Sequence, residues 1–215
     1  MSMPGIPSVS SIPEHMLSAV TSDGRLLYDS FVAADGTDIS GRTPEKTAGG
    51  NWYVALGTWD VQGNTARHGA NVDDGVLVST GIGANLRAVC SRVTINDNFT
   101  GFCLRYSDSN NYIIAGAFPS ANTWAIYKNV AGSFTSIGTA GTDDPPAGDV
   151  LVNLELQCST INIVIYEDGV ERIRSTGDSF NDGADGIGFY ADPLSASDSI
   201  YDDITVWFLG DGIAY

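Results

Sequence analysis

The stretch INIVIYEDGVERIRST, Ile161–Thr176, decides the class of fold. Ile161, Ile163 and Ile165 recur at every second position, the period that lines up side chains on one face of a strand. Asp168-Gly169 comes next, a dipeptide whose residues tolerate positive φ and therefore close two-residue hairpins. VERIRST then resumes as a second strand. Strand, tight turn, strand means antiparallel pairing between neighbours in sequence.

The same grammar extends outward in both directions. LLYDSF, NWYVAL, GVLVST, FTGFCLRY, NYIIAGAF, TWAIYKNV, DVLVNLELQC, DGIGFYAD and SIYDDITVWFL are short and rich in β-branched and aromatic residues, with Gly, Asn, Asp or Pro at their ends. Alternation places Phe102, Leu104 and Tyr106 on one side and Cys103 and Arg105 on the other. Leu154 and Leu156 oppose Glu155 and Gln157, while Ile204, Val206 and Phe208 share a face. Between residues 28 and 209 no segment has a helical period, and no internal repeat suggests a propeller or β-helix. An all-β, two-sheet antiparallel sandwich or a barrel follows. The expected division is an extended arm over 1–27, the β domain over 28–209 and a short tail over 210–215.

Composition narrows the function classes. Against 26 acidic residues stand 10 lysines and arginines, a formal charge of −16. Such a chain repels phosphate backbones and anionic lipid surfaces, so neither nucleic acid nor membrane is an expected partner. No run approaches the roughly 18 apolar residues of a membrane helix, and the opening MSMPGIPSVSSIPEHM lacks the basic start and apolar stretch of a signal peptide. Three cysteines do not make a disulfide scaffold. Cys90 and Cys103 flank an expected hairpin at Asn96-Asp97, where one register would bring them together and another would part them.

Pro4, Pro7 and Pro13 forbid regular structure across the first residues, yet Met3, Ile6, Val9, Ile12, Met16 and Leu17 are apolar. An uncharged, apolar arm ahead of an acidic domain reads as an assembly element that docks on a neighbour; a disordered terminus is the alternative.

Catalytic patterns are missing. Glu155 has Asn153 and Gln157 at the strand-mate positions where a second carboxylate would sit. Asp168 belongs to a turn, and Asp202 and Asp203 are adjacent, so on a strand they point to opposite faces. His15 and His68 are the only histidines, with no nucleophile elbow and no Cys/His metal cluster. The expectation is a non-enzyme with no catalytic residues.

Several motifs together resemble concanavalin A-like (laminin G-like) jelly-roll domains over about residues 28–209. They are Asp29-Ser30-Phe31, Ala34-Asp35-Gly36-Thr37, Gly50-Asn51-Trp52 and Gly57-Thr58-Trp59, then the run from Gly101 to Tyr112 with Arg105-Tyr106 and Asn111-Tyr112. Glu167-Asp168-Gly169-Val170, Asp185–Tyr190 and Tyr201–Val206 complete the likeness. The resemblance implies a concanavalin A-like jelly roll, with Arg105 stapling the loop of Asp108 and Asn110. Asp29 and Asp203 would then lie in neighbouring terminal strands, which makes them the candidate ligands for a calcium ion, with a solvated acidic edge as the alternative. Trp59, Trp124 and Tyr127, together with Trp52, are either core residues or an aromatic platform for a sugar.

Such sandwiches recur in phage surface proteins. The resemblance, the missing export signal and the apolar arm together imply a virion structural protein of a tailed phage, made in the host cytoplasm. It would decorate the capsid or form a head or tail appendage, contact other virion proteins through its arm and assemble as a homo-oligomer. A carbohydrate-binding module is the alternative, and a glycoside hydrolase a second one.

Overall fold

The computed structural model describes residues 24–69, 74–95, 99–140, 144–146, 150–192 and 199–209. The arm residues Met3, Ile6, Val9, Ile12, Met16 and Leu17, together with His15, lie outside them. In chain order the strands are β1 (Arg25–Asp29), β2 (Thr37–Asp38), β3 (Lys46–Thr47), β4 (Trp52–Leu56), β5 (Trp59–Gln62), β6 (Thr65–His68), β7 (Gly75–Ser79), β8 (Leu86–Ile95) and β9 (Phe99–Asp108). There follow β10 (Asn111–Phe118), β11 (Thr123–Val130), β12 (Ser133–Ser136), β13 (Thr139–Ala140), β14 (Val150–Cys158), β15 (Asn162–Glu167), β16 (Val170–Thr176), β17 (Gly186–Asp192) and β18 (Ser199–Phe208).

They form two antiparallel sheets packed face to face as a jelly-roll sandwich. The larger runs β13-β16-β15-β14-β8-β18-β6-β5-β2, with β1 added to β18 and β3 to β1. The smaller runs β12-β11-β10-β9-β17-β7-β4. The β15–β16 hairpin expected from sequence is present, with Asp168 at φ 47° and Gly169 at φ 80°, the pair of positive angles that a twisted two-residue turn demands.

Asn96-Asp97, where a hairpin is expected, lie outside the described residues, and the strands on either side do not pair with each other. β8 pairs with β14 and β18 in the larger sheet, and β9 with β10 and β17 in the smaller, so the chain crosses between sheets here. Cys90 and Cys103 therefore sit in different sheets, buried, and none of the three cysteines is in a disulfide.

Side chains between the sheets form the main core. Phe189 is its centre: it stacks on Tyr201 at 4.3 Å between ring centroids and lies near Trp52, Trp59 and Phe102 at 6.1–6.4 Å. The Tyr201 hydroxyl, fully buried, donates to the Tyr190 carbonyl at 2.6 Å and accepts from the Gly101 N–H at 3.3 Å, so the polar atom is satisfied where it is dry.

The strand over 99–108 departs from strict alternation. Gly186 pairs with Tyr106 but Ile187 pairs with Leu104, which leaves Arg105 as an extra residue at φ 50°. This bulge carries Tyr106 to the opposite face from Phe102 and Leu104, correcting the expectation that the three share a side. Arg105 does not staple its own loop either. Its guanidinium donates to the carbonyls of Ser159 and Thr160 on one loop and of Asp178 and Phe180 on another, at 2.6–3.1 Å. Asp108 instead caps its own turn through the N–H of Asn110 and the amide of Asn111.

Candidate functional site

The smaller sheet is apolar on both faces. Leu77, Phe102, Leu104, Ile113, Ile126 and Phe189 face the main core, while their alternates Val76, Val78, Cys103, Tyr112, Ile114, Ala125 and Tyr190 form a second cluster on the outer face. An outer face meant only for water would be polar. Here it carries a layer of rings.

The register explains the shape of that layer. Ala125, Gly116 and Gly101 are successive cross-strand partners that lead to Tyr190, so a row of small residues crosses the outer face and ends on a ring. Phe99 and Phe118 stand on one side of this row, with centroids 6.1 Å apart. Tyr127 and Ile114 stand on the other. The β11–β12 hairpin, closed by Ala131 at φ 51° and Gly132 at φ 83°, brings Phe134 over the top. Phe134 meets Tyr112, Tyr127 and Tyr190 edge-on at 6.1–6.5 Å and remains 43% exposed. The outcome is a cleft of about 240 Å³ walled by Phe99, Ile114, Phe118, Tyr127, Phe134 and Tyr190, with Asp74 and Asp192 at its border. The wall thus combines apolar ring faces and edges with two carboxylate acceptors and no basic side chain among the described residues.

Burial, and after it the negative charge and hydrogen bond of Asp74, holds the Tyr190 hydroxyl far above its usual pKa. Burial also raises Tyr112, and Tyr106 is pushed up to about 12, chiefly by burial and then by the charges of Tyr53, Cys103 and Asp108. The buried Cys103 thiol rises for the same reason. Each group binds its proton more tightly folded than unfolded. The stability they contribute is complete below the unfolded values of 9.0 for cysteine and 10.0 for tyrosine, and is lost as pH rises through the folded ones. The denaturant midpoint should therefore hold steady from pH 8 to about pH 9 and then fall as pH rises further. A flat midpoint from pH 8 to 11 would contradict this.

The residues singled out from sequence divide sharply. Tyr127 lines the cleft. Trp52, Trp59 and Trp124 are 1–3% exposed because they face the main core, the core position that stood beside the sugar platform as a reading of them. Phe99, Phe118, Phe134 and Tyr190 were not singled out. Their signal was present in strands such as GVLVS and NYIIAGAF, which are apolar at both odd and even positions and so require cover on both faces.

Asp29 and Asp203 do lie in neighbouring strands, with Asp29 opposite Ile204. Asp29, however, is fully buried, and its two oxygens accept from Arg42 Nη2 at 2.7 Å, Arg42 Nε at 3.3 Å, Trp52 Nε1 at 2.7 Å and the Phe31 N–H at 2.9 Å. A carboxylate surrounded by four N–H groups is an internal anchor, its oxygens engaged by the Arg42, Trp52 and Phe31 donors rather than open to a cation. Among the described residues no three His, Cys, Asp or Glu side chains gather to hold a metal ion.

Glu155 is gripped by Arg87 at 2.7 and 2.6 Å and by Gln157 at 2.6 Å. Burial pushes its carboxyl up, but these bonds outweigh it and hold the group below the usual range, the wrong direction for a general acid. Glu167 is paired with Arg172 at 2.8 Å.

No protein-family model matches the chain, and no curated protein sequence matches it. Solved structures similar to it are sandwiches. The carbohydrate-binding module CBM66 of Bacillus subtilis superposes with TM-score 0.55 at 17% identity, over 81% of this chain and 95% of that one. Domain 4 of AbnA, a GH43 extracellular arabinanase of Geobacillus stearothermophilus solved with arabinotriose, gives 0.56 at 13% identity over 86% and 93%. A Bacillus subtilis protein of unknown function with a galectin-like fold gives 0.52 at 13% identity over 85% and 98%. At these identities the likeness establishes the fold. It also removes the resemblance to phage sandwiches from the grounds for the virion reading: the similar structures include a carbohydrate-binding module and a domain of an arabinanase. The expectation of a capsid or tail structural protein is corrected.

Proposed function

We propose that the chain is a carbohydrate-binding domain whose ligand lies in the aromatic cleft on the outer face of the smaller sheet. The observation that carries this reading is the combination of Tyr127 and a 43%-exposed Phe134 with the carboxylates of Asp74 and Asp192 in one open cleft. A sugar ring is amphipathic, with C–H faces that pack on aromatic rings and hydroxyls that donate to carboxylates. The absence of a basic lining residue favours neutral saccharides over uronate-bearing ones. Support comes also from the carbohydrate-binding module and the arabinotriose-bound arabinanase domain among the similar folds.

Calorimetric titration against a panel of neutral and acidic plant and microbial oligosaccharides tests it. At least one neutral saccharide should bind, and Tyr127→Ala and Phe134→Ala should each weaken binding by about 10-fold or more while the far-ultraviolet circular dichroism stays unchanged. Failure of every saccharide to bind, or undiminished binding by the double variant, would overturn the assignment.

A further inference from the structure

A second, larger concavity lies at the corner where the chain leaves the smaller sheet at β4 and enters the larger at β5. It encloses about 620 Å³, within the roughly 300–1,000 Å³ of small-molecule sites. It shares no lining residue with the aromatic cleft. From its chemistry we infer that it is an independent binding site for a neutral, hydroxyl-rich ligand, the terminal ring of a saccharide chain.

Three features carry the inference. First, Asp60 and Arg67, cross-strand partners on β5 and β6, form a two-point ion pair at 2.8 and 2.6 Å within the cavity wall, each side chain about a quarter exposed. The pair fixes both side chains in place, so acceptor and donor stand side by side at the spacing of two neighbouring hydroxyls, and little ordering is left to do on binding. Second, the sequence keeps the corner open. Gly36, Gly57 and Gly69 line it without side chains, so backbone forms part of this wall, and at Gly57 the φ of 72° disfavours any other residue. Third, the half-buried Val54 borders the cavity with apolar surface, against which the C–H face of a ring can pack. Asp38 joins Asp60 in the lining against the single cation of Arg67, an excess of negative charge that disfavours anionic ligands.

Amide chemical-shift mapping tests the site, with neutral mono- and disaccharides as probes at millimolar concentration. Shifts should saturate at Gly57, Thr58 and Gly69 in the wild type and persist in Tyr127→Ala/Phe134→Ala, while Asp60→Asn/Arg67→Gln should weaken them by about tenfold or more. Thr58→Tyr, at an exposed position that needs no core rearrangement, should block the cavity and abolish them. A probe that shifts only the outer-face amides around Gly101 and Gly116 overturns the corner site and leaves the cleft assignment standing. Shifts at the corner alone do the reverse. Corner shifts that survive both the ion-pair and the Thr58 variants also overturn the proposal.

Discussion

Arg105→Ala is expected to lower the unfolding free energy by about 3–5 kcal/mol, a large part of the roughly 5–15 kcal/mol that holds a domain together. The side chain is 1% exposed and its guanidinium serves four carbonyls, two on the loop after β14 and two on the loop after β16. The loop after β16 is also tied to this sheet by the Lys128–Asp178 ion pair at 2.8 Å and by the Asn181 amide, which donates to the Arg105 carbonyl and the Ser107 hydroxyl, so the loss comes from the carbonyls: each one buried without its donor costs about 1–3 kcal/mol, less whatever water recovers as the loops relax. Lysine should rescue little, because one ammonium cannot reproduce a planar fork aimed at two loops. Urea unfolding of both variants checks this, and a loss below 1 kcal/mol for alanine would show that the loops hold without it.

Asp29→Ala should be comparably severe, about 3–5 kcal/mol, because it leaves Arg42, only 18% exposed, without its counter-charge. It also strands the Trp52 indole N–H at the margin of the ring stack. Asparagine keeps the volume and one acceptor but places an N–H₂ group against a guanidinium, so it too should destabilise. A double-mutant cycle with Arg42→Met, read by guanidinium unfolding, should return a coupling above about 1 kcal/mol. Millimolar calcium should leave the wild-type Tm unchanged, since the carboxylate is already engaged. A calcium-dependent rise in Tm that vanishes in Asp29→Asn would refute that account.

These two residues also mark where sequence reading stops. The strands were legible wherever one face meets core and the other water: Leu154, Leu156 and Cys158 alternate with the half-exposed Glu155 and Gln157. Asp168-Gly169 declared its hairpin because its φ requirements are local. The change of sheet between β8 and β9 was not legible, because a hairpin and a crossing between sheets use the same polar turn residues and differ only in which distant strands wait on either side. Nor was the bulge at Arg105, since an arginine at positive φ has no local signature and is held there by contacts more than fifty residues away. The cleft was half visible. Tyr127 stood out as an aromatic in a strand, but a tryptophan looks the same whether it faces core or solvent, and only the register separates Trp124, pointing inward, from Tyr127 three positions on.

The position of β18 has a consequence for how the protein is made. This strand, residues 199–208, is wedged between β8 on one side and β6 and β1 on the other. A ribosome delivers its partners long before it delivers β18 itself. Until then the nascent chain holds β1, β6 and one side of β8 as open edges, each a template for pairing with another chain. Sequence-distant pairing of this kind is also slow to form once the whole chain is present. A net charge of −16 suits that interval, because unfinished chains that repel one another stay soluble long enough for the missing strand to arrive.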